Sequence, residues 1–143
     1  MTIELAPDYA GFQNESTGQA YNEAAFQYFL DVDRRRVQRT SRSIVLVLVS
    51  VRAHAGRNAE LRDDVATSLF AGMAAGVREV DFIGWYRHGR IIGAVLPQAG
   101  GASTELRQVI ANRIVSSLEK FVRDDVAAQL RVRVVGLSGK DRR

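Results

Sequence analysis

Apolar residues recur along this chain with two different periods, and the switches between them divide it into elements. Over residues 19–40, Phe26, Phe29, Leu30 and Val37 fall on one face of a helix; from Asn58 to Gly76, Leu61, Val65, Leu69 and Met73 recur every fourth position. Between these helices Ser43 to Val51, SIVLVLVSV, is a continuous apolar run of the kind a central, buried strand shows. Val80 to Tyr86 and Ile91 to Leu96 are rich in β-branched and aromatic residues and flank Arg87-His88-Gly89-Arg90, whose glycine can take the positive φ of a tight turn. They read as a β-hairpin. Ser103 or Thr104 can cap a third helix carrying Leu106, Val109, Ile110, Ile114, Leu118 and Phe121 inward. Leu130, Val132 and Val134 alternate with Arg131 and Arg133 in a last strand, and the tail from Gly136 to Arg143 is expected to be loose.

Leaving aside the leading helix, this is the split βαβ order of ferredoxin-like domains: an α/β (α+β) fold with a mainly antiparallel sheet and helices packed on it. Such a fold hosts many functions, so the order alone assigns none. The 143 residues, 46% hydrophobic and 25% charged, suit one domain with an ordinary core. Residues 1–15 read as an N-terminal extension, 16–136 as the domain and 137–143 as a flexible tail. There is no Cys, which removes disulfides, thiolate metal sites and a Cys nucleophile and suits a reducing cytoplasm. Runs such as Ile44 to Val49 fall far short of the roughly 20 residues that cross a bilayer, and Met1 to Asn14 has neither a basic start nor an apolar centre, so a soluble, cytoplasmic protein is expected.

The net charge is +4, and only Lys120 and Lys140 among the basic residues are Lys. Guanidinium groups suit bidentate contact with phosphate or carboxylate. Arg34, Arg35, Arg36, Arg39 and Arg42 cluster at the end of the first helix, where cations also complement the helix dipole. A solvated helix end accounts for the cluster; an anionic partner is the other reading, and nucleic acid is not the expected one.

Local motifs in this order resemble the GGDEF (diguanylate cyclase) family over about residues 15 to 135. Thr17-Gly18, Phe26 and the Arg-rich helix end resemble that family's D-x-L-T-G-L-x-N-R opening. Ser50-Val51-Arg52 stands for its D-I-D, Arg62-Asp63 for G-D, and Arg78-Glu79-Val80-Asp81 for R-x-x-D. His88-Gly89-Arg90-Ile91-Ile92 stands for the signature turn, followed by Leu96-Pro97. The resemblance implies the nucleotidyl cyclase palm, with a leading helix. In that family carboxylates of the first strand and of the turn hold two divalent cations against a triphosphate. Ser50, Arg52, Arg90, Ile91 and Ile92 supply none of the oxygen ligands a hard cation needs, so no catalytic residues, no metal and no cofactor are expected, and the reading is of a degenerate, non-enzymatic domain.

The R-x-x-D pair of the family, with an Arg from the following helix, binds cyclic di-GMP. The resemblance therefore implies a ligand site at Arg78, Asp81 and Arg113, in which guanidinium groups would hold phosphate and a carboxylate would accept from guanine. One residue more than the family has separates Asp81 from the turn, which would re-aim the site. A surface ion pair at a helix-to-strand junction is the plain alternative.

Other constellations carry less. His54 and His88 are the only histidines and lack partners at motif spacing. Trp85 and Tyr86 alternate in direction, so one is expected in the core and the other exposed. Gly100-Gly101 is a chain break without the Lys of a P-loop. The expected function is a binding module in bacterial cyclic di-GMP-type regulation, either a receptor or a scaffold for a protein partner or a homodimer. The alternative is a ferredoxin-like enzyme or a cyclase with a non-standard active site.

Overall fold

The computed structural model describes residues 20–53 and 57–138. The extension 1–15, Thr17-Gly18, His54 and residues 139–143 lie outside them. Helix α1 (Glu23–Val37) starts where the Asn22 side chain accepts from the Ala25 N–H at 2.9 Å, and it ends in Arg34, Arg35 and Arg36, cations at the negative end of the dipole. The chain continues through β1 (Ser43–Val51), α2 (Asp63–Gly76), β2 (Phe82–Arg87), β3 (Ile91–Gln98), α3 (Thr104–Glu119), the short α4 (Asp124–Ala127) and β4 (Leu130–Ser138). The strands form one sheet in the order β2-β3-β1-β4, and β1 pairs antiparallel with both β3 and β4. This is the ferredoxin-like arrangement that the element order predicts, preceded by a helix.

Both sheet faces are covered. On one, Val45, Val47 and Val49 of β1 and Ile92, Ala94 and Leu96 of β3 meet Leu69, Phe70 and Met73 of α2 and Ile110, Ile114 and Leu118 of α3. On the other, Ile44 and Leu46 of β1 and Val95 of β3 meet Phe26, Leu30 and Val37 of α1. That double burial is why β1 reads as an unbroken apolar run.

The glycines Gly84 and Gly93 sit opposite each other in the hairpin register, on the α1 face. A Cβ at Gly93 would lie 2.7 Å from the Phe26 ring, and one at Gly84 would lie 2.6 Å from the Tyr21 carbonyl oxygen and 3.0 Å from the Phe26 ring. Their missing side chains make the slot that admits the fully buried Phe26. Tyr21 lies along β2 as a single-residue parallel bridge to Gly84, donating to the Ile83 carbonyl and accepting from the Trp85 N–H, both at 2.9 Å.

Several sequence expectations are corrected. The second helix begins at Asp63, not Asn58, because the backbone before it is already engaged with β1: Arg52 and Asn58 form a bridge, and the Ala59 N–H donates to Val51 at 2.7 Å. Val109 is 59% exposed, outside the stripe formed by Ile110 and Ile114, and Phe121 is 43% exposed and lies beyond the end of α3. Gly136 to Ser138 are not loose: they continue β4 against Ser43 to Val45. Tyr86 is not a free aromatic. It packs edge-on to Phe26 under the guanidinium of Arg87, because α1 covers the face a one-sided sheet would leave bare.

Candidate functional site

Two places carry the sequence-derived candidates. The first is the end of the sheet where β1 finishes and the hairpin turns. Gly89 has φ of 76°, the left-handed conformation a glycine adopts without a Cβ penalty. The pairing shifts between Trp85 and Arg87, so Tyr86 is the bulged residue, and the additional residue counted between Asp81 and the turn is absorbed there. Arg78 and Asp81 lie on the N-terminal side of this bulge.

The described segment 57–61, ahead of α2, lies over this turn. The Gly89 carbonyl accepts from the Leu61 N–H at 2.7 Å, and Arg90 Nη1 donates to the Asn58 carbonyl at 3.0 Å. On the other side the Glu23 carboxylate accepts from the His88 N–H at 2.6 Å, and the His88 ring lies against the Trp85 indole. Ser50 is buried; Arg52 is exposed at the strand's end. Positions 90, 91 and 92 bring a guanidinium and two aliphatic side chains. These side chains offer no oxygen ligands for a divalent cation; among the described residues the carboxylate hydrogen-bonded to the turn is that of Glu23, and it is engaged by a backbone N–H. Among the described residues no three His, Asp or Glu side chains come together as a metal site. Glu23 is the participant sequence reading missed, since its contact spans 65 positions and no motif marks it.

The second place is the corner joining α2 to β2. Asp81 takes three hydrogen bonds from Arg78: its backbone N–H at 2.7 Å, Nε at 3.2 Å and Nη2 at 2.9 Å. The same Nη2 donates to the Pro97 carbonyl at 2.6 Å. The Asp81 side chain is 0% exposed and that of Arg78 is 48% exposed, so the pair is a closed clasp with one wet partner. Beside it lies a groove of about 460 Å³ lined by Arg78, Glu79, Asp81, Val77, Tyr21 and Phe82, among others. Arg113 reaches the same end of α2, where its Nε donates to the Gly76 carbonyl at 3.0 Å, one of the terminal carbonyls that an α-helix leaves without an intrahelical partner. Arg78, Asp81 and Arg113 thus converge on the end of α2, each already engaged within the domain.

No protein-family model matches the sequence, and no curated protein matches it. Solved structures do. The GGDEF domain of FimX from Pseudomonas aeruginosa aligns with a TM-score of 0.67 and 19% identity over 92% of this chain and 83% of that one. The GGDEF domain of DgcB from Caulobacter crescentus, in complex with c-di-GMP, gives 0.62 and 13% over 92% and 82%. The diguanylate cyclase SiaD from Pseudomonas aeruginosa, in complex with its activator SiaC, gives 0.63 and 20% over 93% of this chain and 52% of that one, about half its length. The fold of this chain is that of GGDEF diguanylate cyclase domains.

Proposed function

We propose that this GGDEF-fold domain carries out no cyclase chemistry and acts by binding, as a module in cyclic di-GMP-type regulation. The observation that carries this reading is the hairpin end. A cyclase needs carboxylates there to hold cations against a triphosphate. Ser50, Arg52, Arg90, Ile91 and Ile92 stand at the matching positions, and the Asn58–Leu61 backbone is hydrogen-bonded over the turn. Arg52 and Arg90 would repel the metals the reaction requires. Incubation with magnesium and GTP is expected to yield no cyclic di-GMP and no pyrophosphate above the protein-free control. Turnover abolished by Arg90→Ala would overturn the reading.

A second reading, cyclic di-GMP as ligand, is favoured by the half-exposed Arg78 guanidinium on the wall of a groove. Binding there has a structural requirement. The Asp81 side chain is 0% exposed and both its oxygens are engaged by Arg78, so guanine can reach it only if the clasp opens, whereas the half-exposed Arg78 guanidinium can meet phosphate from the solvent side. Titration calorimetry with cyclic di-GMP on the intact chain and on Arg78→Ala and Arg113→Ala decides it. Micromolar binding weakened in both variants supports a receptor. No heat at high ligand concentration leaves a module whose output is a contact with protein.

A further inference from the structure

We infer that a groove at the opposite end of the sheet from the hairpin turn is a docking surface for an acidic amphipathic segment of a partner protein. The groove encloses about 1230 Å³ between the second half of α1 and the ends of the strands, where β3 finishes at Gln98 and β1 begins at Ser43. That volume exceeds the roughly 300–1000 Å³ typical of small-molecule pockets and suits a chain segment. Phe29, Phe82 and Ile44 line it, and Tyr28 and Val80 stand beside them 42% and 69% exposed.

The rim is cationic. Arg35, Arg36, Arg39 and Arg42 line the groove. Asp31 and Asp33 answer two of them, Asp31 holding Arg35 at 2.8 Å and Asp33 lying 3.7 Å from Arg36. Arg39 and Arg42 make no ion pair with any described residue. Arg and aromatic side chains beside an apolar floor are the residue types that anchor protein interfaces. The unanswered guanidinium groups ask for carboxylates. A nucleic acid fits less well, because Asp31 and Asp33 stand among the arginines and would oppose phosphates, and the floor is aliphatic as much as aromatic, offering no run of open ring faces for stacking.

This inference rests on the binding-module reading only in taking the domain's output to be a contact; the groove and the hairpin end share no residue. The test uses the intact chain and a labelled synthetic helical peptide with Glu on one face and Leu and Phe on the other. A peptide with Lys for Glu and an oligo-dT strand serve as comparisons, all read by fluorescence anisotropy. The Glu peptide is expected to bind, to weaken as salt is raised, and to lose about tenfold or more in affinity in Arg39→Glu/Arg42→Glu and, to a smaller degree, in Arg39→Gln/Arg42→Gln. Neither Arg39 nor Arg42 makes an ion pair with a described residue, and circular dichroism verifies that both variants stay folded. Absence of binding, unchanged affinity in the charge-reversed variant, or tighter binding of oligo-dT overturns the proposal. So does a concentration-dependent dimer that the same variant dissolves, which would give the groove to a second copy. GTP turnover would sink the binding-module reading and leave the peptide result standing, so the two failures are distinguishable.

Discussion

The Arg78–Asp81 clasp makes an asymmetric prediction. Replacing Arg78 by Ala removes two guanidinium bonds from a carboxylate that solvent does not reach and strips the Pro97 carbonyl of its donor, leaving Asp81 with one backbone N–H. Breaking a fully buried pair costs about 3–5 kcal/mol, but the Arg78 side chain is half in water, which lowers what its charge contributes. The expected loss is about 2–3 kcal/mol, within the range of hydrogen bonds to charged groups. Replacing Asp81 by Ala instead frees a guanidinium that is already 48% exposed and keeps its bond to Pro97. The Arg78 backbone N–H loses its acceptor as well, but both stranded groups belong to an exposed residue that water can reach, so the expected loss is about 1–2 kcal/mol. Urea unfolding followed by emission of Trp85, the single Trp, buried against Phe70, gives both values. An Asp81→Ala loss equal to or larger than that of Arg78→Ala would refute the reasoning, because the carboxylate would then not be the sequestered partner. The asymmetry also governs the nucleotide test. Lost binding in Arg78→Ala can come from a weakened corner, whereas Arg113→Ala leaves Asp81 fully satisfied.

Two further perturbations follow from the packing. Gly84→Ala would place a methyl 2.6 Å from the Tyr21 carbonyl oxygen, and the overpacking cost of about 1–3 kcal/mol exceeds the roughly 0.4–1 kcal/mol gained from a stiffer unfolded chain. Gly100→Ala, with nothing within 4 Å of its Cβ and no positive φ, is the control and should be neutral or slightly stabilising; thermal melts that rank Gly84→Ala with it would contradict the slot. Asp33 has its pKa raised from the ordinary 3.8 by burial, with Arg36 pulling the other way. A raised carboxylate pKa means the native state holds the proton more tightly than the unfolded chain, so stability falls as pH climbs from 3.8 through the native value. Asp33→Asn is therefore expected to raise the urea midpoint at neutral pH, by an amount that shrinks as pH is lowered toward 3.8, and a lowered midpoint would count against it.

What was legible in the sequence followed from local chemistry. The turn needed only a glycine able to take positive φ between two β-rich runs, and Gly89 supplies it. The third helix has its Ser103 cap, whose hydroxyl accepts from the Leu106 N–H at 3.1 Å. The R-x-x-D spacing was enough to pair Arg78 with Asp81, but it could not tell an open ligand site from a clasp, because that depends on Pro97 lying 19 positions away. Long-range partners account for the other misses. Tyr86 is covered because α1 returns over the sheet, and the hairpin turn is held by Glu23 and Asn58, neither of which periodicity can bring near it. Helix α4 spans only Asp124–Ala127, too short for any period to register.

The Tyr21 bridge has a mechanical consequence. Its two hydrogen bonds straddle Gly84 on a strand running in the same direction, so tension on the backbone ahead of α1, directed along that strand, loads both bonds together in shear rather than unzipping them one by one. Shear of this kind is the stiff direction of a β-pair. A displacement of the chain ahead of Tyr21 would therefore be handed to β2, and through it to the hairpin, before α1 yields.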